Sequence, residues 1–359
     1  MKILGIETSA DDTGIALIEA DGKFGLDPDA TVGAGFKFKV LGNAVSSQPV
    51  HAQYGGIYPN LAKREHTKNL PLVLETALRE AGEPRERPQV DAIAVTVGPG
   101  LEPCLWTGIT FAQELSKKWN VPLVPVNHME GHVLISIMEK EKLAQFEFPA
   151  LALLVSGGHT ELILMKAFGQ YEYLGRTRDD AAGEAFDKVA RTLSLPYPGG
   201  PEISRLAAYA RSEKLPKLLT LPRPMMHEDN YEFSFAGLKT AVERYVNANE
   251  LQSLDREKIA REFEDAVTEV LLFKTLRAVE EYGANTIVMG GGVSANKHIR
   301  AEFTEKLEAQ GAKLLVSPPE FSTDNGLMIA LAGYFHALKK EFIEPNLLHA
   351  QGNLDLNQT

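Results

Sequence analysis

Two histidines one helical turn apart are the residues best suited to chemistry. In the segment VNHMEGHVLISIMEK, His128 and His132 are spaced i and i+4. On a helix this spacing places both imidazoles on one face, within reach of a single metal ion. The alternative is that two polar histidines merely line the start of a helix.

A catalytic metal site needs more than this pair. Such sites generally use three protein ligands and leave one position open. Asp324 in FSTDNG is the candidate for the third ligand, because it lies in a polar turn between a predicted strand, KLLVS, and a predicted helix. The pair also has the spacing of a zinc-protease HExxH motif. However, Glu130 follows the first histidine by two positions, roughly 200° around a helix, and cannot activate a metal-bound water from there.

Turns rich in glycine and hydroxyl groups follow three predicted strands. ILGIETSADDTGIALI (3–18) and LALLVSGGHTELILM (151–165) share a pattern of strand, tight polar turn and strand, which indicates two related halves. In MGGGVSANKHIR (289–300) a strand runs into three glycines. Such turns let backbone N–H groups approach a phosphate closely, although each alone could be an ordinary turn. Together they predict a nucleotide between two domains.

A third kind of candidate residue could bind the sugar or base of that nucleotide. Asp187, in the acid-rich segment DDAAGEAFDKVARTL (179–193), could accept hydrogen bonds from ribose hydroxyls. The same segment is typical of a well-capped helix with no ligand. The turn YPGGP (197–201) could wrap a ligand with backbone atoms, and Asn296 could hydrogen-bond a nucleotide.

Composition limits the class of protein. The chain has 359 residues, of which 44% are hydrophobic and 24% charged, which favours two folded domains over a disordered chain. No apolar run approaches the roughly 18 residues needed to span a bilayer. The single cysteine, Cys104, excludes an intramolecular disulfide and cysteine-rich zinc modules. The start MKILGIETSADD fits neither a secretory nor a transit peptide, so a cytoplasmic location is expected.

The charge balance bears on nucleic-acid binding. A net charge of −11 argues against a protein that holds nucleic acid by its overall field. Any contact must be local or shared with a partner. The best local candidate is the stretch 205–223, whose alternative interpretation is a solvated surface. Its five basic residues face only Glu213; they are Arg205, Arg211, Lys214, Lys217 and Arg223.

The predicted elements alternate between strands and helices, which is typical of an α/β fold. Apolar periodicity predicts the clearest helices at 70–81 and 257–282, which end before Gly82 and Gly283. Strands are predicted near 2–7, 14–19, 90–97, 121–126, 150–156, 161–166, 285–289 and 312–317.

Taken together, eleven segments resemble one family, the tRNA N(6)-adenosine threonylcarbamoyltransferases of the TsaD type. In order they are LGIETSADDTGIAL, YGGIYPNLAKREH, VGPGLEPCLWTG, VPVNHMEGH, LLVSGGHTEL, DDAAGEAFDKVA, YPGGP, FSFAGLKTAV, FEDAV, GGGVSAN and STDNG. The resemblance implies a two-domain actin-like ATPase fold, with duplicated mixed β-sheet domains flanked by helices and an active cleft between them. The implied parts are an N-terminal subdomain (1–148), a C-terminal subdomain (149–325), a helix (326–340) packing back on the N-terminal subdomain, and a tail (341–359).

The resemblance also implies a site. His128, His132 and Asp324 would correspond to the ligands of one iron or zinc ion, and imidazole and carboxylate suit either metal. The ion would meet the phosphate of an adenylate, and ATP or AMP would occupy the same cleft. The residues implied to contact the substrate are the backbone run Leu154, Val155, Ser156, Gly157 and Gly158, and, against its nucleoside part, Asp187, Gly200 and Asn296.

The implied reaction transfers the threonylcarbamoyl group of threonylcarbamoyl-adenylate to the N(6) amine of the adenosine 3′ of the anticodon, in tRNAs reading ANN codons, with release of AMP. Glu7, Asp11 and Asp12 lie in a loop where an acid could deprotonate or orient the attacking amine. The motif wording is closer to the bacterial type, which implies an inactive paralogue and a small ATPase as partners beside tRNA.

Two departures from the family pattern and three rival functions remain at this point. Ala10 stands where the family usually has cysteine, and EFIEPNLLHAQGNLDLNQT replaces the usual Pro-Arg-rich tail after residue 340. A metalloprotease is disfavoured by the placement of Glu130. A kinase or carbamoyltransferase of the same fold is disfavoured by the two histidines and aspartate, and a non-enzymatic nucleotide-binding scaffold would need no buried histidine pair.

Overall fold

The computed structural model describes residues 1–22 and 35–358. The strands are β1 (Lys2–Glu7), β2 (Asp12–Asp21), β3 (Lys37–Ser47), β4 (Ala92–Gly98), β5 (Leu123–Asn127), β6 (Met138–Glu139), β7 (Lys142–Leu143), β8 (Ala150–Val155), β9 (Thr160–Ala167), β10 (Gln170–Arg176), β11 (Thr286–Gly290) and β12 (Lys313–Val316). The helices are α1 (Pro59–Glu80), α2 (Glu102–Trp119), α3 (His128–Ser136), α4 (Ala182–Thr192), α5 (Gly199–Ser212), α6 (Ala236–Ala248), α7 (Asp255–Tyr282), α8 (Lys297–Ala309) and α9 (Gly326–Leu338).

The chain divides into two compact units. The first comprises Met1–Glu147 and Thr323–Thr359, and the second comprises Phe148–Ser322. The boundaries that the sequence predicts for domains, after residues 148 and 325, stay a prediction. In the division by contacts, Asp324 belongs to the same unit as the histidine pair.

Each unit is built on a five-stranded sheet of the same design. The strand order is β3-β2-β1-β4-β5 in the first unit and β10-β9-β8-β11-β12 in the second. In both sheets the first three strands are antiparallel neighbours and the last three are parallel neighbours. The repeated strand–turn–strand pattern of the sequence is therefore a true structural duplication, with β1–β2 corresponding to β8–β9.

The central strands follow from their composition. β4 (AIAVTVG) and β8 (ALALLV) are buried along their whole length, as expected for strands covered on both faces. The eight predicted strands are confirmed, with ends shifted by up to two residues in most cases. β3 and β10 are missed because their buried residues alternate irregularly with exposed polar ones.

The two predicted helices are also confirmed. α7 ends where Gly283 adopts the left-handed conformation at φ 64°, which closes a helix without a Cβ clash. α1 starts at Pro59 rather than at residue 70. Its first half, PNLAKREHTKN, buries only Ala62 and His66, so the apolar stripe used for the prediction is absent there.

Helix α9 packs directly on the backbone of the first sheet. A Cβ on Gly14 would lie 2.5 Å from the backbone nitrogen of Gly326, and a Cβ on Gly326 would lie 2.4 Å from that of Ala16. Glycine at these positions is what lets α9 approach β2 so closely. This contact fixes the start of the helix that follows Asp324.

The last residues of the chain belong to the first unit. The backbone N–H of Ile343 donates to the carbonyl of Leu123 at 3.0 Å, and that of Gln351 to the carbonyl of Val97 at 2.8 Å. The side chain of Asn127 donates to the carbonyl of Asp355 at 3.2 Å. Within the described ranges no helix is both long and apolar enough to cross a bilayer.

Candidate metal centre and nucleotide-binding turns

The structure brings the three predicted metal ligands together. His128 is the first residue of α3, His132 lies one turn later, and Asp324 lies in the turn before α9. The Nε2 atoms of His128 and His132 are 3.5 Å and 3.2 Å from the same Asp324 oxygen, Oδ1. One ligand atom from each residue lies within 4.8 Å of the other two. The arrangement can hold one cation, and binding itself stays a prediction.

Two asparagines set the helix ends that carry these ligands. Oδ1 of Asn127 accepts a hydrogen bond from the Met129 N–H at 2.9 Å and caps α3. Oδ1 of Asn325 accepts from the Met328 N–H at 3.0 Å and caps α9. Asparagine is a preferred N-cap residue. Neither cap was predicted from the sequence, although each asparagine is adjacent to a predicted ligand.

Glu7 is placed to orient His128 rather than to act on a substrate. Its carboxylate is completely buried. Oε1 accepts from the Ser9 N–H at 2.5 Å and Oε2 from the Thr96 hydroxyl at 2.5 Å, while Nδ1 of His128 lies 3.1 Å from Oε2. A metal-binding histidine commonly donates its other ring N–H to a carboxylate. The catalytic role hypothesised for Glu7 stays a prediction, and the contacts of its carboxylate favour an orienting role.

The site carries more negative than positive charge. Burial disfavours a charged imidazole, but the carboxylates of Glu7 and Asp324 outweigh burial and raise the pKa of His128 to about 9. Although burial opposes it, His128 and His132 hold the pKa of Asp324 well below its usual range. The two carboxylates thus remain ionised at neutral pH and favour a cation beside the imidazoles.

The chemistry of the donor set fits a metal ion. Both ring nitrogens of His132 are buried and make no hydrogen bond within the described part of the chain, although Nε2 lies near Asp324. A buried polar group left without a hydrogen bond costs roughly 1–3 kcal/mol. A cation bound at Nε2 would give that nitrogen a partner, and two imidazoles with one carboxylate are suitable ligands for zinc or iron.

Of the other two predicted acids, Asp11 lies in the loop between β1 and β2 and Asp12 begins β2. Asp11 and Asp12 are half-buried, and burial, with the nearby Asp324 carboxylate, raises the pKa of Asp12 to about 7. The loop is held by His66 of α1, whose Nδ1 and Nε2 lie 2.8 Å from the Thr13 hydroxyl and 3.0 Å from the Ala10 carbonyl. His66 ends the segment YGGIYPNLAKREH, and its contacts with this loop were not predicted from the sequence.

The raised pKa of Asp12 has a consequence for stability. Since the folded protein keeps the proton between the ordinary value of 3.8 and about 7, the metal-free protein should lose stability as pH rises through that window. Asp12→Asn does not titrate, so its stability relative to wild type should increase from pH 4 to pH 7. Chemical denaturation in chelator at several pH values measures this, with the exposed Asp229→Asn as control. Parallel curves for wild type and Asp12→Asn would contradict the assignment.

The second unit holds the predicted substrate-binding residues. Leu154 and Val155 end β8 with buried side chains, so only their backbone could face a ligand. In the following turn Ser156 accepts a hydrogen bond from the His159 N–H at 3.1 Å. A Cβ added to Gly157, Gly158 or Gly200 would meet no atom within 4 Å. The space beside these glycines is open to a flat ligand.

Asp187 and Asn296 hold these turns through hydrogen bonds. Oδ1 of Asp187 accepts from the Gly199 N–H at 2.7 Å, and its carboxylate also bonds the Gly200 N–H. Oδ1 of Asn296 caps α8, accepting from the His298 and Ile299 N–H groups at 2.9 and 3.0 Å. Its amide nitrogen donates to Ser204 at 2.8 Å and Glu264 at 2.6 Å. Both side chains therefore shape the turns through internal hydrogen bonds.

The basic stretch 205–223 is mostly neutralised by acids of the same unit. Arg211 contacts Glu264 and Asp265, and Arg223 contacts Glu262 at 2.7 Å and Glu269 at 2.7 Å. Lys217 also contacts Glu262, at 3.0 Å, and Arg205 contacts Glu202 at 2.9 Å. The stretch is therefore a poor candidate for a local nucleic-acid surface.

Solved structures with a similar backbone identify the fold. Component A of the Acidaminococcus fermentans (R)-2-hydroxyglutaryl-CoA dehydratase has a TM-score of 0.51 and 14% identity, and the match covers 94% of this chain and 99% of that chain. HypF of T. kodakarensis has a TM-score of 0.55 and 14% identity, with 97% of this chain and 49% of that chain covered. This chain thus spans about half the length of HypF. At these identities the likeness shows the fold alone, which is the actin-like ATPase fold expected from sequence.

The family is shown by a sequence-family match. A model described as TsaD, tRNA N6-adenosine threonylcarbamoyltransferase, matches residues 39–331. This range contains His128, His132 and Asp324 as well as the turns of the second unit. The chain therefore belongs to the TsaD family of tRNA-modifying transferases.

Proposed function

We propose that this protein transfers the threonylcarbamoyl group of threonylcarbamoyl-adenylate to the N(6) amine of the adenosine 3′ of the anticodon in tRNAs reading ANN codons, releasing AMP. The observation that carries the proposal is the cluster of His128, His132 and Asp324, within 4.8 Å of one another, in a chain of the TsaD family. A cytoplasmic location goes with this proposal, since the substrate is tRNA.

The cluster would hold one iron or zinc ion. When bound, the ion would act as a Lewis acid on the acyl phosphate and neutralise the leaving phosphate. Glu7 fixes the His128 ring so that Nε2 faces Asp324, and the buried surroundings keep bulk water from the imidazoles. With the ion bound, these residues would hold a cation in a fixed position for an anionic substrate.

Of Asp11 and Asp12, Asp12 is the better candidate for the general base that accepts the proton of the attacking amine. In the reaction the amine nitrogen attacks the carbamoyl carbon, the bond from that carbon to the phosphate oxygen breaks, AMP leaves, and a proton leaves the amine. A carboxylate with a pKa of about 7 matches the requirement for a general base near neutral pH. A neighbouring divalent cation would lower this pKa and keep Asp12 ionised.

The turns of the second unit would bind the nucleoside part of the adenylate. The open space beside Gly157, Gly158 and Gly200 supports contact with backbone atoms, as does the exposure of the turn after β8. In this proposal the backbone from Leu154 to Gly158 and Gly200 lies against the substrate. Asp187 and Asn296 contribute mainly by holding their turns, because their polar atoms are engaged in the fold.

Binding of tRNA would be shared with partner subunits. The net charge of −11 and the ion pairs of the stretch 205–223 leave little basic surface for phosphate there. We propose the partners of the bacterial type, an inactive paralogue and a small ATPase, as the source of additional basic surface. A tRNA-binding assay of the chain alone and with these proteins tests that division.

A transfer assay tests the proposed reaction. Purified protein, loaded with iron or zinc, is incubated with threonylcarbamoyl-adenylate and unmodified tRNA, with and without the candidate partners, and the nucleosides are analysed by mass spectrometry. Threonylcarbamoyl-adenosine and AMP should form in equal amounts. Absence of the modified nucleoside under every combination would overturn the proposal.

The roles of the two loop acids can be separated. Asp12→Asn should lower the single-turnover transfer rate about 100-fold, the lower end of what a positioned base contributes, with adenylate and tRNA affinities unchanged. Asp11→Asn should have the smaller effect and serves as the matched variant. The rate of wild type should rise with pH up to the pKa of Asp12 in the metal-loaded protein, which lies below the metal-free value of about 7, and then level off. If both variants bind and transfer like wild type, neither acid is the base.

A further inference from the structure

Glu130, the acid between the two histidines, has a partner elsewhere in the first unit. It is 7% exposed, and its Oε2 lies 2.6 Å from Nε2 of His336. His336 is 9% exposed and lies in the last turn of α9. Glu130, which is out of place for a protease motif, therefore forms a contact between α3 and α9.

The geometry makes His336 a cation. Its Nδ1 lies 2.5 Å from Oε2 of Glu341, so both ring nitrogens face carboxylate oxygens and both must carry a proton to donate. The C-terminal end of a helix also favours a positive charge. Burial opposes this charge, but the carboxylates of Glu130 and Glu341 outweigh it and raise the pKa of His336 to about 9.

The two helices joined by this pair hold or directly follow the three candidate metal ligands. α3 bears His128 and His132, and α9 begins two residues after Asp324. The contact between Glu130 and His336 joins α3 to the last turn of α9. It therefore restrains α3 against the helix that follows Asp324.

We propose that Glu130 and His336 are positioning residues for the metal site, which set the spacing of the histidine pair from Asp324 and thereby the affinity for the cation. This rests on the metal site of the proposed function. Residues that orient metal ligands typically change metal affinity 10- to 100-fold when they are replaced. Neither residue touches the cation or the substrate.

Glu341 provides a matched control. It contacts the same imidazole ring, but its side chain is 47% exposed and it lies after the end of α9. Glu341→Gln removes one carboxylate from His336 and leaves the contact between α3 and α9 in place. A role confined to the charge of His336 would respond to both acids, whereas positioning responds to Glu130 alone.

The test measures zinc affinity on metal-stripped protein by competition with a chromophoric chelator. Zinc is used as the probe because it has no redox chemistry. Glu130→Gln and His336→Gln should each raise the Kd about 10- to 100-fold at unchanged stoichiometry, and Glu341→Gln should bind like wild type. Circular dichroism at the temperature of the titration establishes that each variant is folded. Glu130→Gln keeps the shape of the side chain but replaces the ion pair with a weaker neutral hydrogen bond, which keeps the test usable if His336→Gln unfolds.

Three outcomes would overturn the proposal. Folded Glu130→Gln with the Kd of wild type would show that the pair has only a structural role. An equal loss of affinity in Glu341→Gln would show that the charge of His336, not the contact between helices, matters. Wild type that binds no zinc would remove the metal site itself, whereas wild type that binds zinc but fails in transfer would contradict only the proposed reaction.

Discussion

Replacing His132 with alanine is expected to abolish tight metal binding and to lower the transfer rate by about 1000-fold or more. A bound metal contributes several kcal/mol to stabilising charge in the transition state, and each 1.36 kcal/mol changes a rate about tenfold. His132 is fully buried and its Nε2 lies 3.2 Å from Asp324. No other histidine within the described part of the chain completes this cluster.

The change in metal binding can be measured without the reaction. A ligand that binds only the folded state raises the melting temperature, so zinc should stabilise metal-stripped wild type and leave His132→Ala unchanged. Without zinc the variant should fold, since it loses two buried nitrogens that make no hydrogen bond. His349→Ala, an exposed histidine, is the control. Zinc stabilisation of His132→Ala equal to that of wild type would place the metal elsewhere.

The second large effect is expected from a single methyl group at Gly14. In Gly14→Ala the new Cβ would lie 2.5 Å from the nitrogen of Gly326 and 2.9 Å from the carbonyl carbon of Asn325. Backbone atoms cannot move aside as a flexible side chain can, so the cost should reach about 3 kcal/mol. Because Asn325 follows Asp324 directly, relief of the clash should also move the carboxylate and weaken zinc binding.

Calorimetry and zinc titration check this expectation. The melting transition of the first unit should fall by roughly 6 °C or more, and the Kd for zinc should rise. Gly237→Ala is the matched control, because Gly237 lies in α6 and a Cβ there would meet no atom within 4 Å. Alanine in a helix should leave stability unchanged or slightly increased. A Gly14→Ala protein as stable as wild type would mean that α9 does not rest on β2 as described.

The spacing of the histidine pair was enough to predict one face of the metal centre, because i and i+4 residues are neighbours on any helix. Asp324 needed more than local pattern, since it comes from a turn nearly two hundred residues later in the chain. The residues that hold these ligands were not predictable. Glu7 and His128 are 121 positions apart, and Glu130 and His336 are 206 positions apart, so only the fold pairs them.

The acidic residues also show what the sequence alone does not predict, namely the partner of each carboxylate. The sequence marked Glu7 and Asp187 for catalysis and ligand binding because of their type and neighbours. In the fold, Glu7 orients a histidine and Asp187 holds the turn at Gly199. Asp179, which opens the acid-rich segment, accepts hydrogen bonds from the first N–H groups of α6 at Phe235 and Ala236. The residue type indicates the roles that an acidic side chain can take, and its hydrogen bonds in the fold decide between those roles.

Irregular strands and polar helix turns account for the errors in the fold. β3 and β10 mix buried residues with exposed polar ones without a regular alternation, so the period-2 pattern that predicts a strand is weak in them. The first half of α1 is polar for a related reason, since it buries few side chains. The central strands, buried on both faces, were predicted because burial alone determines their composition.

The duplicated sheets give the two turns a common origin and different chemistry. The β1–β2 turn, TSAD, carries acidic side chains, whereas the β8–β9 turn, SGGH, presents backbone and open space. After a duplication, each copy of a hairpin is free to specialise, provided that its strands keep their register. The same hairpin design therefore offers carboxylates in the first unit and backbone N–H groups beside small residues in the second.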